Sequence, residues 1–484
     1  MDDVPQVKSE LLMPAVREQV EEAVRKIMEA VNAAPAGALI AASEEAVRDI
    51  TGQLRRQLFE AALQQRIEAA EAAFPPPVDA KSGKKKRNKG LQRTTVLTIN
   101  GRVSLRRRWW HSPADGSEAP VDRVLSRDGA TVTPGVRELA CRLNNDAAGF
   151  DKAADNLERA AQLKMSGEQL RLVVLEEGQR VLAAQQADTI KPAFTARNCR
   201  VAKGQTKTRL YAGVDGVMVP VVTDAEKLKR RQKIVAQRRV VAQRRVAARK
   251  GRTRPPLPPR RRGADLPYKE FKTITFYDES HEHHHVLLSR TRRTQVGPRL
   301  RREATRLKFL EADERIANVD GANWIPPQLD DAQRQLHGRG LDFYHLAENV
   351  HTARRGVFGN DDASGQTWAA TLLHTLKHDG YEAAHEQLLA WLSGLRGRKR
   401  EAAKHLLGYV VARREMINYP EFLKNGWQIG SGPTEARCKT STARLKRSGA
   451  RWNLDNAESV SALTNLRDSN QWQRYWSTCD TTNT

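Results

Sequence analysis

The chain has 484 residues, with 82 Lys and Arg against 57 Asp and Glu and a formal net charge of +25. Such an excess calls for a polyanionic partner, and the length allows about two to four domains with a real core. No apolar run of about 18 residues marks a membrane span, the acidic start MDDVPQVKSE is unlike a signal peptide, and the scattered Cys141, Cys199, Cys438 and Cys479 form no CxxC pair, which excludes a zinc ribbon and a disulfide framework. The expected setting is a reducing cytosol, with nucleic acid as the polyanion.

Residues 10 to 73 read as two amphipathic helices. Val16, Val20, Val24, Ile27 and Val31 recur at helical spacing up to Pro35, and a second run follows a cap at Ser43. The stripes are narrow, which suits either a packed helical pair or an oligomerisation element. After Pro75-Pro76-Pro77, the run KSGKKKRNKG (81–90) reads as a basic linker or phosphate-contacting arm. Asn100-Gly101 between two β-rich runs predicts a hairpin, whose second strand carries Arg106, Arg107, Arg108, Trp109 and Trp110. The Trp pair reads as core before it reads as a nucleic-acid surface.

Three helices are expected next, from Thr133-Pro134, from Phe150, and from the capping box Ser166-Gly-Glu-Gln169. Their order resembles a helix-turn-helix unit, a pattern any small bundle shares. From Arg209 the sequence reads as two adjoining strands with Asp215-Gly216 between them. Lys227 to Arg262 then holds 16 Lys or Arg and no acid, with VAQRRV occurring twice in succession. A run so one-sided favours phosphate contact over a solvated helix and loop. A strand is expected over Phe271 to Asp278. His281, His283 and His285 would share one face if extended, but a surface strand or turn is preferred to a metal site. A helix over Gln295 to Asp313, a strand over Ile316 to Val319 ending in Asp320-Gly321, and a strand-like GLDFYHLAENV (340–350) follow. Residues 351 to 424 read as helical.

The segment from Asn425 to Trp452 opens with Gly430-Ser431-Gly432-Pro433, where Gly432 suits an N-cap and Pro433 the first helical position. Glu435 then falls in the first turn, where it complements the helix dipole or serves as a metal ligand. A basic helix is expected behind it, bearing Arg437, Lys439, Arg444, Lys446, Arg447 and Arg451. Cys438 has no expected role beyond small-residue packing. Asp215, Asp320 and Glu435 stand at two strand ends and one helix start. Three such carboxylates converging at one sheet edge suit two Mg²⁺ or Mn²⁺ ions in phosphoryl transfer.

VDGVMVP (214–220), NVDGANWIPPQL (318–329), LDFYHLAENV (341–350) and IGSGPTEARCKTSTARLKRSGARW (429–452) resemble, in that order, bacterial insertion-sequence DDE transposases of the Kra type, related to the Mutator-like branch. The resemblance covers roughly residues 120 to 476. It implies an α/β multidomain chain with an RNase H-like catalytic domain, a helical insertion before the Glu, and Asp215, Asp320 and Glu435 as catalytic metal ligands. Asp342 and His345 match an Asp-x-x-His motif that supports the site. The departures are the absence of cysteines after the hairpin, in 105 to 120, and the long basic segment 227–262.

The implied layout is an N-terminal helical region (1–80), a basic linker and hairpin (81–130), a helix-turn-helix-like DNA-binding region (131–200), the catalytic core (205–350), a helical insertion (351–427), and the Glu helix with its tail (428–484). The implied partners are double-stranded DNA, as element ends and target, and further copies of the chain in a dimer or larger assembly. No membrane partner is expected, and the location implied is the bacterial cytoplasm at the nucleoid. DNA contacts are expected from the Glu-helix cations and from Arg238, Arg239, Arg244 and Arg245 of the basic segment. The alternative is a domesticated, transposase-derived DNA-binding protein without transposition activity.

Overall fold

The computed structural model describes residues 13–125, 131–253, 255–256, 268–332 and 335–481. The chain is an α/β protein that divides into two compact units, Met1–Val174 and Leu175–Thr484. No described helix is long and apolar enough to cross a membrane.

The first unit begins with the two expected helices, α1 (Met13–Ala33) and α2 (Leu39–Ala73). Ser43 is not the cap of α2. It lies inside the helix, and its hydroxyl donates back to the Leu39 carbonyl at 2.6 Å, the use a short polar side chain finds within a helix. Strands β1 (Arg87–Thr98), β2 (Gly101–Ser112) and β3 (Gly116–Glu118) form an antiparallel sheet in that order, and the expected hairpin joins the first two. The basic run at 81–90 is therefore only partly a linker, because β1 begins inside it. Lys86 is buried between Asp115 (2.8 Å) and Glu118 (2.7 Å), and those two acids give a buried ammonium the partners it requires.

Ile67 and Ala70 of α2 pack on Val103 and Leu105 of β2. Glu60 and Gln64 of α2 accept the Ser104 and Arg106 backbone N–H groups, each at 2.8 Å, so the strand edge beyond β3 is covered rather than left open. Trp109 and Trp110 are half-buried. After α3 (Asp122–Leu125) come α4 (Pro134–Asp146), α5 (Phe150–Ala161) and α6 (Gly167–Gln186), within which the unit boundary falls. The reciprocal Ser166–Gln169 hydrogen bonds form the expected capping box.

The second unit is built on a five-stranded sheet. Its strands are β4 (Arg209–Pro220), β5 (Tyr268–Asp278), β6 (His284–Ser289), β7 (Glu314–Val319) and β8 (Gly338–Leu341), with spatial order β6-β5-β4-β7-β8. β5 and β6 run antiparallel to their neighbours, whereas β7 and β8 run parallel to β4. The two strands expected around Asp215 are one. Asp215 and Gly216 sit within β4, paired with Thr273 and Lys272 of β5. The Asp-Gly turn signal is local, and an unbroken ladder on β5 overrides it.

Helix α7 (Asp224–Arg249) carries the first part of the basic segment. Residues 254 and 257–262 of that segment lie outside the described residues. The helices α8 (Val296–Arg306) and α9 (Ile325–Ala332) flank β7. The strand expected through residue 350 ends instead at Leu341, and α10 (Phe343–Phe358) starts at once. Asp342 caps it, and Leu346, Val350, Ala353 and Val357 bury one helical face, a period of three and four rather than two.

The insertion is all-helical, with α11 (Ala363–His378), α12 (Tyr381–Ser393), α13 (Gly397–Val411) and α14 (Tyr419–Lys424). It shares a core with the sheet: Leu210, Ala317 and Leu341 belong to the same buried cluster as Leu372, Leu406 and Tyr419. The Tyr419 hydroxyl donates to the Leu341 carbonyl at 3.0 Å. The chain closes with α15 (Gly432–Thr442), α16 (Leu454–Asp468) and α17 (Trp472–Thr481).

One close approach fixes α15 against the sheet. A methyl added at Gly213 of β4 would overlap the Thr434 hydroxyl and lie 2.6 Å from that of Thr275, while those two hydroxyls bond each other at 2.7 Å in a buried position. Gly213→Ala is expected to destabilise the second unit by about 1–3 kcal/mol through overpacking, as measured by chemical denaturation. An unchanged midpoint would show that α15 is not held this tightly.

Candidate active site

Three acids stand in or just after neighbouring strands of the sheet. β4 pairs with β7 from Arg209–Glu314 to Ala212–Ala317, and Asp215 and Asp320 each lie three residues beyond that last pair. β7 pairs with β8 up to Val319–Leu341, so Asp320 and Asp342 follow at the next step. The Asp342 N–H donates to the Val319 carbonyl at 2.8 Å.

Asp215 is half-buried. Its Oδ1 accepts the Gly216 N–H at 2.5 Å, and its Oδ2 accepts the Cys438 thiol at 3.1 Å. Burial and then the Asp215 charge push the Cys438 thiol well above its ordinary range, so it stays protonated and acts as a donor. The sequence left Cys438 without a role; its spacing three residues after Glu435 was the available signal, because i and i+3 share a helix face.

Asp320 caps the turn after β7 by accepting the Ala322 N–H at 2.9 Å. Burial and the nearby Asp215 charge push its carboxyl upward, as expected of two carboxylates sharing a site. Gly321 follows in the left-handed region, at φ +80. A methyl there would press on Leu341 and lie 2.7 Å from Arg413 Nε, and that nitrogen donates to the Gly321 carbonyl at 2.8 Å.

Asp342 is fully buried and joins two distant segments. Its Oδ1 accepts the His345 N–H at 2.8 Å, capping α10, and its Oδ2 accepts the Ser431 N–H. The turn before α15 is held at two more points: the Phe343 N–H donates to the Ile429 carbonyl at 3.0 Å, and Asn318 Nδ2 to the Gln428 carbonyl at 2.7 Å. The N-cap of α15 is consequently Ser431, one residue before the expected Gly432. Glu435 falls in the first turn as expected, with Oε1 at 3.2 Å from His345 Nε2.

Asp342, His345 and Glu435 each offer a ligand atom within 4.8 Å of the others. Burial alone would lower the His345 value, but the Asp342, Glu435 and Asp320 carboxylates outweigh it and raise it. Asp215 and Asp320 lie outside that group; Asp320 is linked to it and to Asp215 through charge, feeling both Asp215 and His345.

The cations behind Glu435 are arranged differently from the expected basic helix. α15 ends at Thr442, so Arg444, Lys446, Arg447 and Arg451 lie beyond it. Arg444 is buried, with its guanidinium 5.1 Å from the Trp452 ring, and burial with Arg447 nearby lowers it to about 10. It is a packing residue rather than a member of an exposed row. Arg437 donates to His284 Nε2 at 2.8 Å, whereas Lys439, Lys446, Arg447 and Arg451 are exposed. Arg238, Arg239 and Arg245 are exposed on α7, while Arg244 is half-buried and donates to the Pro255 carbonyl.

The histidine cluster separates. His281 contacts Gln428, His283 lies 2.9 Å from Asp278, and buried His285 lies 3.0 Å from Glu303. The sequence favoured a surface strand or turn; β6, which begins at His284, is instead largely buried. A residue the sequence did not flag is Lys272 of β5, paired with Gly216 in the ladder. Its buried ammonium lies 2.6 Å from Glu270 and 3.7 Å from the centre of the Trp324 ring, and desolvation lowers its affinity for protons.

Two outcomes follow. In Asp342→Asn the amide offers one acceptor oxygen where two N–H groups now bond, which should cost about 2 kcal/mol in denaturation; an unchanged stability would contradict the clamp. The His345 imidazole should titrate above 6.5 by NMR. Its contribution to stability is then present at acid pH and lost as pH rises through the folded-state value. Glu435→Gln should lower that value, and no change would show that Glu435 does not face it. No protein-family model matches the chain and no curated protein does, so the reading of this site rests on its geometry and on the sequence motifs.

Proposed function

We propose that the chain is an insertion-sequence DNA transposase. It binds element ends, cleaves the DNA and joins the 3′-hydroxyl to target DNA by in-line attack at phosphorus. The observation that carries the reading is the placement of three acids: Asp215 within β4, Asp320 just after β7 with the Asp215 charge felt at it, and Glu435 in the first turn of α15. A sheet in which β6, β7 and β8 run parallel to central β4 and β5 antiparallel to it, and a helical insertion between the second Asp and the Glu, support an RNase H-like core. The net charge of +25 supports DNA as the partner.

The donor set fits hard divalent cations. It is made of carboxylate oxygens, and Asp320 is raised by burial and by the Asp215 charge, a like-charge conflict that a cation relieves. Asp215, Asp320 and Glu435 would hold Mg²⁺ or Mn²⁺, two ions in all. When bound, such ions lower the pKa of the attacking hydroxyl or water and neutralise charge at the leaving oxygen.

The remaining work belongs to the chain. The Gly216 N–H and the Cys438 thiol fix the rotamer of Asp215. His345 Nε2 faces Glu435, and Asp342 fixes the His345 backbone by capping α10. Exposed Lys439, Lys446, Arg447 and Arg451 supply positive charge for backbone phosphates. The exposed row Val20, Val24 and Met28 on α1 supports self-association, in keeping with a reaction that must hold two element ends together.

Glu435→Gln should leave DNA binding intact. It should reduce Mg²⁺-dependent end cleavage and strand transfer by about three orders of magnitude, corresponding to about 4 kcal/mol of lost charge stabilisation. Strand transfer retained in that variant would remove Glu435 from the reaction. Binding without cleavage in the wild-type chain would favour the domesticated alternative.

A further inference from the structure

Helix α7 departs from the pattern of the rest of the second unit. It spans Asp224–Arg249 and buries no residue. Its only acids are Asp224 and Glu226, in the first turn, where they complement the dipole. The other charged residues are ten Lys or Arg. A helix without a packed face gets little stability from tertiary contacts, and like charges at i,i+4, such as Lys227–Arg231 and Arg245–Arg249, oppose it further.

The root of α7 is nevertheless firmly built. The Thr223–Glu226 capping box closes it, and Lys269 of β5 lies 2.6 Å from Glu226. The preceding residues are stitched to the end of the Glu435 segment. Trp452 N–H donates to the Pro220 carbonyl at 3.0 Å, and Val222 N–H to the Trp452 carbonyl at 2.8 Å. α7 therefore departs from the strand that carries Asp215.

The cations of α7 are not evenly spread. Lys227, Arg231, Arg238, Arg245 and Arg249 succeed one another at separations of four, seven, seven and four residues. At 3.6 residues per turn these five fall within an arc of about 40° along about 33 Å of helix. The VAQRRV duplication does not create this row by its own period, because six residues is not a helical repeat. The row takes the first Arg of the first copy, Arg238, and the second Arg of the second, Arg245. Their partners Arg239 and Arg244 point elsewhere, and Arg244 is engaged with the Pro255 carbonyl. Arg231, Arg238, Arg245 and Arg249 are exposed and have no partner among the described residues. The row is about as long as one turn of duplex DNA, about 34–36 Å.

We infer that α7 is a DNA-holding arm whose Lys227–Arg231–Arg238–Arg245–Arg249 face follows the phosphate backbone of a duplex. The choice of DNA rests on the reading given under Proposed function; the positional prediction does not require cleavage. Five contacts to phosphate make binding steeply salt-dependent and insensitive to sequence, because each releases condensed counterions. Neutralisation by the duplex also removes the repulsion along the helix.

The test compares two triple variants of the full chain that lose the same charge. One is Arg231→Gln, Arg238→Gln and Arg245→Gln, on the row. The other is Lys229→Gln, Lys233→Gln and Arg239→Gln, off it. Affinity for a random-sequence duplex of about one to three helical turns is measured against salt concentration. The on-row variant is expected to lose about 2.7 from the log–log salt slope, or about 0.9 per contact. The off-row variant is expected to lose well under half of that.

Equal losses in the two variants would reduce the row to diffuse attraction and overturn the proposal. A preference for duplex RNA over DNA at equal length would overturn the choice of partner. Both variants replace exposed side chains on a helix without a packed face, so folding is not at stake, and circular dichroism of each checks that α7 persists. Because the assay reads binding alone, an inactive carboxylate site would leave its outcome unaffected, and a failed row would leave strand transfer to be judged separately.

Discussion

The buried carboxylate of Asp342 is the constraint on which the second unit's site depends. It accepts one backbone N–H from the first turn of α10 and one from the turn that opens α15. The two segments are 89 residues apart, with the helical insertion between them. A buried carboxylate is stable only if such donors satisfy it, so its burial couples the strand β8, the insertion and the Glu435 helix. The tight Gly213–Thr434–Thr275 contact and the Asn318 link complete the attachment of α15 to the sheet. Removing the insertion's packing against Leu341 and Leu346 would therefore be felt at Glu435, without any direct contact between them.

Charge is arranged in two opposed zones. Around Asp215, Asp320 and Glu435 the neighbours are a protonated thiol, the His345 imidazole and backbone N–H groups, with the Lys272 and Arg413 cations felt at Asp215 and Asp320. The thiol and the N–H groups orient the carboxylates as neutral donors. The excess Lys and Arg lie outside, on α7 and on the segment after α15.

Much of this was legible from residue order. The hairpin at Asn100-Gly101, the Ser166 capping box, the strand before Asp320 and the first-turn position of Glu435 each follow from local chemistry, and each is present. What the sequence misread was decided at a distance. Asp215-Gly216 resembles a turn, yet β5 pairs straight across it. GLDFYHLAENV resembles a strand, yet Asp342 turns it into a helix after two residues of β-structure. Arg444 belonged to a row of basic residues, yet it is buried against Trp452. Cys438 and Lys272 acquire their surroundings only when α15 and β5 are brought to β4, and no spacing rule announces a partner on another element.

The central claim is that the acids of β4, β7 and α15 form one cation-binding centre acting on DNA. The most direct measurement is a cryo-EM reconstruction of the full chain with element-end DNA and Ca²⁺, which supports binding without turnover. The account predicts cation density bounded by Asp215, Asp320 and Glu435, with a backbone phosphate against it. DNA bound elsewhere, or those carboxylates facing separate environments with no cation between them, would contradict it.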